Sequence, residues 1–450
     1  MSELLNDAAL RAQRYLAEIG ERSVAPSSAA LAGLAAFERE LPADSCSAEE
    51  VLAELDVFGS PATVASAGGR FFGFVVGGSL PVTVAAAWLA TAWDQNAGLV
   101  VLSPVNAALE KVALRWVLEI LGLPMGCGGG FVTSATAANF AALAAARHAL
   151  LARAGWDVEG QGLFGAPTLT VVVSEEVHAS VRKALSMLGL GRDRVVAVPC
   201  DAQGCMRIEE VPQVDARTIV CVQAGNVNTG GFDPIERVCE LAHAGGAWVH
   251  VDGAFGLWAV AAPRRAALAR GVAEADSWAA DAHKWLNVAY DSGLVLVREA
   301  TALRAAMSVE AAYLVQSGDR VPYQYTPDFS RRARGVEVWA ALRQLGRSGL
   351  ADLIERSCRF ANRMAEGLTR AGHRVLNEVV LNQVLVSFGS AERTRAVVER
   401  IQRDGVCWCG GTVWQGHTAM RISVSSWATT ETDVERSLEA ILRAADATSR

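Results

Sequence analysis

Short apolar runs that stop at a polar residue or a turn recur through the middle of the chain and predict buried strands. They lie at residues 169–173, 195–199, 218–222, 247–251, 276–280 and 293–297. Helical stretches or polar turns separate them, as in proteins whose parallel strands are joined by helices. This alternation predicts an α/β fold with a mostly parallel sheet.

Helical periodicity, with apolar residues three and four positions apart, flanks these strands. It predicts helices at residues 5–20, 28–40, 107–121, 391–404 and 431–445 and a long helix from residue 336, with further strands at 383–388, 412–415 and 420–425. Ser27 or Ser28 is expected to cap the second helix, and Ser47 begins a capping box. Asp233 is expected to cap a helix that has Pro234 in its first turn.

Composition excludes several classes of protein. The 450 residues carry a formal net charge of −7 and contain no cluster of lysine and arginine, so nucleic acid is not an expected partner. The amino terminus lacks a basic region followed by an apolar core, which favours a cytoplasmic location. Hydrophobic residues make up 51% of the chain, which suggests that some surface is buried between subunits.

Two further features of the composition bear on partners. The uncharged stretch 71–93 is long enough to span a bilayer, but three glycines and Pro81 interrupt it, so we expect a buried segment and no membrane partner. The nine cysteines are scattered without paired metal-binding spacing. Reduced, structural thiols are therefore expected, and no metal site is predicted.

Two charged residues follow two of the predicted strands. Asp252 stands where a parallel strand opens onto a crevice at its carboxyl end. Lys284 is followed by Trp285 and Leu286, and such an apolar setting lowers an amine's pKa and makes it a better nucleophile. A cofactor held on a lysine as a Schiff base, with an aspartate paired to its pyridinium nitrogen, requires these two residue types.

The motifs around these residues are His-Val-Asp-Gly-Ala at 250–254 and Asp-Ala-His-Lys-Trp at 281–285. They resemble those of the group II pyridoxal-phosphate-dependent amino-acid decarboxylases, which include the aromatic amino-acid, histidine and glutamate decarboxylases. The spacing of thirty-two residues between Asp252 and Lys284 is similar to that family's. The resemblance implies that pyridoxal 5′-phosphate is bound by Lys284, Asp252, Ala254 and His283.

The resemblance also implies fold type I, the aspartate-aminotransferase-like fold, with a seven-stranded sheet. We predict a helical amino-terminal segment at 1–67, a large cofactor-binding domain at 68–345, and an α+β carboxy-terminal domain at 346–450. In the resembling family the amino-terminal helices pack over the partner subunit. A homodimer with its active sites at the subunit interface is therefore expected.

A glycine-rich turn is predicted at 126–133, just before an alanine-rich helix. Unpaired N–H groups and the positive end of a helix bind phosphate, and Ser134, Ala135 and Thr136 fall in the first turn. By itself, a hydroxyl residue at a helix start is more often only a cap. Many family members carry paired glycines and an acid here, whereas this chain has Ser134-Ala135 and Ala137, so no residue is assigned to the acid's role.

Further residues are assigned by the resemblance. The family's matching histidine stacks on the cofactor ring and helps to place the substrate carboxylate, which implies this role for His178; the alternative is a histidine that only caps a helix. Asn226 is expected to face the cofactor. Phe74 occupies a position that contacts the substrate side chain, or else is an ordinary core aromatic. Arg421, on a late strand, is interpreted as structural.

The loop 307–330 contains Tyr313, Tyr323 and Tyr325. In the resembling family a loop tyrosine reaches the other subunit's active site and protonates the substrate's α-carbon after carbon dioxide leaves. This loop differs from the family's in length and sequence, so Tyr323 and Tyr325 are both candidates, with a slight preference for Tyr323. The alternative for each is an aromatic residue that packs and does no chemistry.

The sequence thus predicts a carboxy-lyase that uses pyridoxal phosphate to decarboxylate an L-amino acid. Phe74 and Trp93 favour an aromatic or apolar substrate. An aminotransferase or an aldehyde-forming oxidative decarboxylase would use the same Lys284 and Asp252. A non-catalytic scaffold of the same fold is the alternative from a different class, and the joint presence of the lysine, the aspartate, the histidine and the phosphate cradle argues against it.

Overall fold

The computed structural model describes residues 1–309 and 320–448. These residues group by contact into two units. The first unit comprises Met1–Gly78, Phe360–Leu376 and Val384–Arg450, and the second comprises Ser79–Arg359 and Asn377–Gln383. The three segments predicted from the sequence divide the chain differently and stay a prediction.

The helices of the described residues alternate with strands through the middle of the chain. In chain order they are α1 (Ser2–Glu18), α2 (Ser28–Gly33), α3 (Ala48–Glu54), α4 (Ser60–Ala62), α5 (Pro81–Trp93), α6 (Pro104–Ile120), α7 (Ala135–Arg153), α8 (Val158–Gln161), α9 (Ala179–Met187), α10 (Ile235–Ala244), α11 (Ala300–Met307), α12 (Arg334–Arg370), α13 (Ala391–Asp404) and α14 (Glu431–Ala447). Gly346 has a left-handed φ of 59° and kinks α12 there.

The strands form two sheets. They are β1 (Gly128–Val132), β2 (Thr170–Ser174), β3 (Val195–Val198), β4 (Thr218–Gln223), β5 (Trp248–Asp252), β6 (Ser277–Asp281), β7 (Gly293–Val297), β8 (Arg374–Val375), β9 (Gln383–Ser387), β10 (Gly410–Trp414) and β11 (His417–Ser423). The larger sheet has seven strands in the order β1-β7-β6-β5-β4-β2-β3, and the smaller has four in the order β10-β11-β9-β8.

Five strands of the larger sheet, β3, β2, β4, β5 and β6, are parallel, and only β7 pairs antiparallel with its neighbours β6 and β1. Strands β4 to β7 are buried along their whole length. Their near-continuous apolar sequences fit strands covered on both faces. The predicted α/β fold with a mostly parallel, seven-stranded sheet is therefore confirmed.

The glycine-rich stretch before α7 is a strand and not the predicted turn. Gly128–Val132 pairs antiparallel with β7, and none of its three glycines has a positive φ. Close packing is the physical reason for these glycines. A Cβ at Gly129 would lie 2.7 Å from Leu114 Cδ1, and one at Gly130 would lie 2.7 Å from the carbonyl oxygen of Tyr325.

Asp233 does not cap α10, contrary to the prediction. The helix begins after Pro234 without a side-chain cap. The buried carboxylate of Asp233 instead accepts hydrogen bonds from the backbone N–H groups of Met206 (2.7 Å) and Gln223 (2.6 Å). Burial raises the pKa of Asp233 to about 6, although both hydrogen bonds oppose this.

The helix caps predicted near the amino terminus are confirmed. Ser27 accepts a hydrogen bond from the N–H of Ala30 at 3.1 Å. Ser47 and Glu50 form both hydrogen bonds of a capping box, at 3.2 and 2.9 Å. In the described part of the chain, no helix is both long and apolar enough to cross a membrane.

Candidate active site

Asp252 ends β5, the central strand of the larger sheet. Its carboxylate is 5% exposed and accepts three hydrogen bonds. Asn139 Nδ2 and Ser180 Oγ both donate to Oδ2 at 3.2 Å, and the N–H of Ala254 donates to Oδ1 at 3.3 Å. Oδ2 therefore has two donors, whereas Oδ1 has one long contact and retains the greater acceptor capacity.

The register of the parallel strands brings several predicted residues to one edge. Asp252 pairs with Gln223 of β4 on one side and with Ala279 of β6 on the other. Asn226 follows β4 and Lys284 follows β6, so both come directly after the carboxyl ends of strands that neighbour Asp252. Ligands of open α/β sheets bind at such an edge.

Lys284 lies in the turn after β6, and its amine is paired with a carboxylate. Nζ lies 3.0 Å from Asp281 Oδ2. Trp285 and Leu286 are fully buried, so the apolar setting read from the sequence is present. The sequence reasoning missed Asp281, although its position three residues before Lys284 in the quoted motif is the signal that would have found it.

Asp281 also reaches the amino terminus of α7, which is the predicted phosphate cradle. Its Oδ1 accepts a hydrogen bond from the N–H of Ala135 at 2.5 Å. Ser134 is the N-cap residue but makes no capping hydrogen bond through its side chain. The N–H groups of Thr136 and Ala137 lie in the first turn, where a helix has no internal acceptor for them. Donors for an anion are thus present, and one of them is already occupied by the chain's own carboxylate.

His178 is the N-cap residue of α9, as the alternative prediction of a helix-capping histidine requires. Its Nδ1 lies 2.8 Å from Ser180 Oγ and accepts from the N–H of Ser180 at 3.2 Å. Ser180 Oγ donates to Asp252, so one serine joins the histidine through its N–H and the aspartate through its hydroxyl. This contact fixes the imidazole beside Asp252, and the stacking role of His178 stays a prediction.

Asn226 is buried in the turn after β4. Its Oδ1 accepts from the N–H groups of Asn228 (2.8 Å) and Thr229 (3.3 Å). Its buried Nδ2 has no hydrogen-bond partner among the described residues. A buried amide N–H without a hydrogen-bond partner costs free energy, and a bound ligand that accepts from it would remove this cost.

His283 lies between Asp281 and an aromatic ring. Its Nε2 is 3.7 Å from Asp281 Oδ1, and its ring stacks on Tyr290 with 4.3 Å between the ring centroids. Burial is the main cause that lowers the pKa of His283. Burial and the charge of Asp281 both raise the pKa of Tyr290. Sequence reasoning assigned His283 by resemblance alone and did not single out Tyr290.

Two of the three predicted loop tyrosines are described, and both pack against other side chains. Tyr323 and Tyr325 belong to the 3₁₀ helix Pro322–Tyr325 and are both buried. Tyr323 stacks on Phe329 at 4.6 Å, and Arg320 lies over the ring of Tyr325 at 4.6 Å. This is the packing expected of aromatic residues that do no chemistry. Tyr313 lies outside the described residues.

Phe74 belongs to the first unit, and its side chain is not a core residue of that unit. Its ring is 62% exposed and stacks on Trp408 with 5.7 Å between centroids. Arg421 in the same unit is mostly buried, and burial lowers its pKa. The substrate-binding role of Phe74 and the structural role of Arg421 stay predictions.

The residues present fit a bound pyridoxal phosphate. Asp252 is a buried carboxylate with which no cationic side chain of residues 1–309 and 320–448 forms an ion pair. Asn226 Nδ2 is a buried donor without a partner in the same ranges. The amino terminus of α7 offers N–H groups to an anion, and Lys284 supplies the amine.

The sheet order and the site together define an enzyme class, the fold type I pyridoxal-phosphate enzymes. Residues 34–389 match the family described as the pyridoxal-dependent decarboxylase conserved domain, and the chain belongs to this family. Pyridoxal phosphate is accordingly its cofactor. The crystal structure of Oryza sativa TDC with PLP and tryptamine superposes with a TM-score of 0.91 at 22% identity, covering 100% of this chain and 98% of that chain, and shows the same fold.

Two curated relatives differ in the substrates that their names indicate. Acidic amino acid decarboxylase GADL1 of Mus musculus is 30% identical over 328 residues, which is 69% of this chain and 58% of that protein. Tryptophan decarboxylase 1 of Oryza sativa subsp. japonica is 28% identical over 412 residues, which is 83% of this chain and 79% of that protein. The match therefore spans little more than half of the first relative's length.

Proposed function

We propose that this chain decarboxylates an L-amino acid with the help of pyridoxal phosphate and releases the amine and carbon dioxide. The observation that carries the proposal is the position of Asp252 at the end of β5 and of Lys284 just after the neighbouring parallel strand β6, at the edge where α/β ligands bind. Membership of the pyridoxal-dependent decarboxylase family supports it.

Each candidate residue has a specific task in holding the cofactor. The amine of Lys284 would hold the aldehyde carbon, and Asp252 Oδ1, which has acceptor capacity to spare, would accept the N–H of the ring nitrogen. The first turn of α7, with Ser134, Ala135 and Thr136, would hold the phosphate. The unpartnered Nδ2 of Asn226 would donate to the cofactor, and Ala254 and His283 would line the site.

When bound, the cofactor would supply an electron sink for the bond between the α-carbon and the substrate carboxylate. The residues of the chain would orient the cofactor and the substrate and determine where protons are held. Asp252 favours the protonated ring nitrogen, because a carboxylate stabilises a cation at hydrogen-bond distance. His178, fixed through Ser180, would cover the ring and hold the substrate carboxylate.

We propose an aromatic or apolar amino acid as substrate. The large exposed area of Phe74 and the similarity to a tryptophan decarboxylase support this choice, whereas the similarity to an acidic amino acid decarboxylase makes the acidic amino acids the necessary comparison. Purified protein is supplied with pyridoxal phosphate and a panel of amino acids of both kinds. We expect carbon dioxide and amine in equal amounts from an aromatic member; the absence of carbon dioxide from every member contradicts the proposal.

The same panel separates the other outcomes. An aminotransferase would release a keto acid without carbon dioxide. An oxidative decarboxylase would consume dioxygen and release aldehyde, ammonia, peroxide and carbon dioxide. Tyr323 and Tyr325 are both buried in the second unit, whereas a mobile acid is expected to be exposed. If neither tyrosine delivers the proton, oxidation can compete with amine release, so the oxidative products are measured as well. A scaffold would give no product at all.

The tyrosine prediction is tested by Tyr323→Phe, Tyr325→Phe and the double variant. If one phenol protonates the α-carbon, its loss slows amine release far more than carbon dioxide release. In the presence of dioxygen, which is reduced to peroxide, part of the product is then diverted to aldehyde and ammonia. Native rates of amine formation in all three variants would show that another group supplies the proton. His178 and Lys284 are then the next residues to test.

We further propose a cytoplasmic homodimer with active sites at the subunit interface. The support comes from two helices with apolar exposed residues. None of the residues of α1 is buried, and α5 has no charged residue and buries only Thr83, while its Trp88, Leu89 and Trp93 are exposed. Such surfaces on a monomer usually mark an interface.

A further inference from the structure

A chain of buried hydrogen bonds in the second unit ends at Asp252. Trp248 Nε1 lies 2.9 Å from Ser277 Oγ, and Ser277 Oγ lies 2.9 Å from His250 Nδ1. His250 Nε2 lies 2.9 Å from Asn139 Oδ1, and Asn139 Nδ2 donates to Asp252 Oδ2 at 3.2 Å. All five residues are buried, and none but Asp252 has a role in the proposed function.

The chemistry of the two ends fixes the direction of this chain. An indole N–H can only donate, and an ionised carboxylate can only accept. Trp248 therefore donates to Ser277, and Asp252 accepts from Nδ2 of Asn139. Asn139 Oδ1 then faces His250, which carries its proton on Nε2 and donates to that oxygen. Nδ1 of the neutral imidazole is left as the acceptor for the proton of Ser277.

His250 and Asp252 together determine which way the Asn139 amide points. The two ends of an asparagine amide are nearly equal in size, so only hydrogen bonds determine which atom meets Asp252. A flipped amide would place its oxygen against the carboxylate and its NH₂ group against the N–H of His250. Burial keeps this imidazole neutral by lowering its pKa to about 4, which agrees with a single ring proton on Nε2.

We propose that Asn139, oriented by His250, is a positioning residue that directs the carboxylate of Asp252 toward the cofactor. Asn139 occupies Oδ2 and also donates to Ser180 Oγ at 3.1 Å, the second group on that oxygen. Oδ1 is thereby the oxygen left for the ring nitrogen. This inference rests on the proposed function, because it assigns a helper to the aspartate that the function employs.

Asn139→Asp is the sharpest test, because it preserves the size of the side chain and an acceptor for His250 but replaces the amide donor by a second carboxyl group. Two buried carboxyl groups this close repel each other or share one proton, so Asp252 no longer presents a full negative charge to the cofactor. The dissociation constant of pyridoxal phosphate is measured by absorbance, together with the band position of the bound cofactor and the melting temperature of the cofactor-free protein. We expect affinity to fall roughly tenfold or more and the band to shift as it does in Asp252→Asn. Thr218→Val, which removes a buried hydroxyl of the same sheet that bonds to Asp215, should change neither the affinity nor the band.

A double-mutant cycle separates positioning from a general structural role. If Asn139 acts through Asp252, Asn139→Asp should cost less than about twofold in affinity when Asp252→Asn is already present. An equal loss in both backgrounds overturns the proposal. The proposal is also overturned if Asn139→Asp has the wild-type band and affinity while Asp252→Asn binds pyridoxal phosphate more weakly. That result leaves the proposed function intact. An unaltered chain that binds no pyridoxal phosphate overturns both.

His250 provides a second route if Asn139→Asp fails to fold. His250→Gln retains an amide N–H where Nε2 donates, so we expect it to preserve the cofactor's affinity and band. His250→Leu lacks any donor and should lose affinity as Asn139→Asp does. Equal affinity in the glutamine and leucine variants contradicts the proposed orientation of Asn139.

Discussion

Asp252 carries its charge at the centre of a sheet, and donated hydrogen bonds take the place of an ion pair. Burial of an unpaired carboxylate is expensive unless its oxygens accept hydrogen bonds, and Asn139, Ser180 and Ala254 supply them. These donors come from two helices and the strand end itself. The aspartate is therefore fixed before any ligand arrives.

Asp252→Ala tests the role of this carboxylate. In the proposed complex Asp252 forms a buried ion pair with the protonated ring nitrogen of the cofactor. Removing one partner of such a pair typically costs about 3 to 5 kcal/mol, so we expect a loss of most turnover and much weaker cofactor binding. Lys284 should still be able to link to the cofactor at high concentration. Steady-state turnover and absorbance measure the two effects, and near-normal turnover would mean that Asp252 merely ends a strand.

His250 gives a pH dependence of stability that can be measured. Burial lowers its pKa from 6.5 to about 4, and the charge of Asp252 opposes this shift only in part. Between these values the unfolded chain binds more protons than the folded chain, so the free energy of unfolding falls on acidification, by up to about 3 kcal/mol. His250→Gln should remove this contribution. Urea unfolding at pH 6.5 and 4.5 checks it, and an unchanged pH slope in the variant contradicts it.

At the scale of elements, β1 and the helix that follows it determine the phosphate end of the site. Because β1 consists largely of glycine, Leu114 and the segment around Tyr325 approach its backbone closely. The strand leads directly into the amino terminus of α7, where Asp281 already accepts the N–H of Ala135. The position of this helix end thus depends on close packing along β1.

Gly130→Ala tests this packing. The added Cβ would lie 2.7 Å from both Thr326 Cγ2 and the carbonyl oxygen of Tyr325, and relief of such contacts usually costs about 1 to 3 kcal/mol. We expect a lower melting temperature and weaker cofactor binding. Gly126→Ala is the matched control, because a Cβ there meets nothing within 4 Å. Equal melting temperatures for the two variants would contradict this account of β1.

The sequence predicts the strands that are short apolar runs bounded by a polar residue or a turn, and it fails where packing decides. Strands β5 and β6 are predicted correctly because residues 247–251 and 276–280 contain such runs. Strand β1 is missed because its glycines resemble a turn, and the roles of Asn139 and Ser180 are missed because these residues lie 113 and 72 positions from Asp252. A lone amide on the apolar, alanine-rich α7 was the available signal for Asn139.

At the scale of the whole molecule, the exposed apolar helices bear on assembly. The residues of α5 form an uncharged helix with exposed aromatic and leucine side chains, and α1 contributes exposed leucines from the first unit. Isolated apolar residues are common on protein surfaces, but a whole helix without charge is not. A second copy of the chain is the occupant that we propose for these surfaces.

Leu89→Glu tests the dimer. The unaltered protein should scatter light with the mass of two chains. A charge in the middle of α5 should shift the protein toward the mass of one chain, because a buried unpaired carboxylate opposes association. Phe164→Glu is the control, since Phe164 is 99% exposed and outside this helix. An active, unaltered preparation with the mass of one chain would contradict the proposed dimer.

The measurement that tests the central claim most directly is borohydride trapping of the cofactor. Purified protein loaded with pyridoxal phosphate is reduced and digested, and the labelled peptide is sequenced by mass spectrometry. Lys284 lies beside Asp281 at the sheet edge that Asp252 occupies, so we expect the label on Lys284 and no label in Lys284→Ala. A labelled peptide that excludes Lys284, or an unaltered protein that takes up no cofactor, would contradict the account.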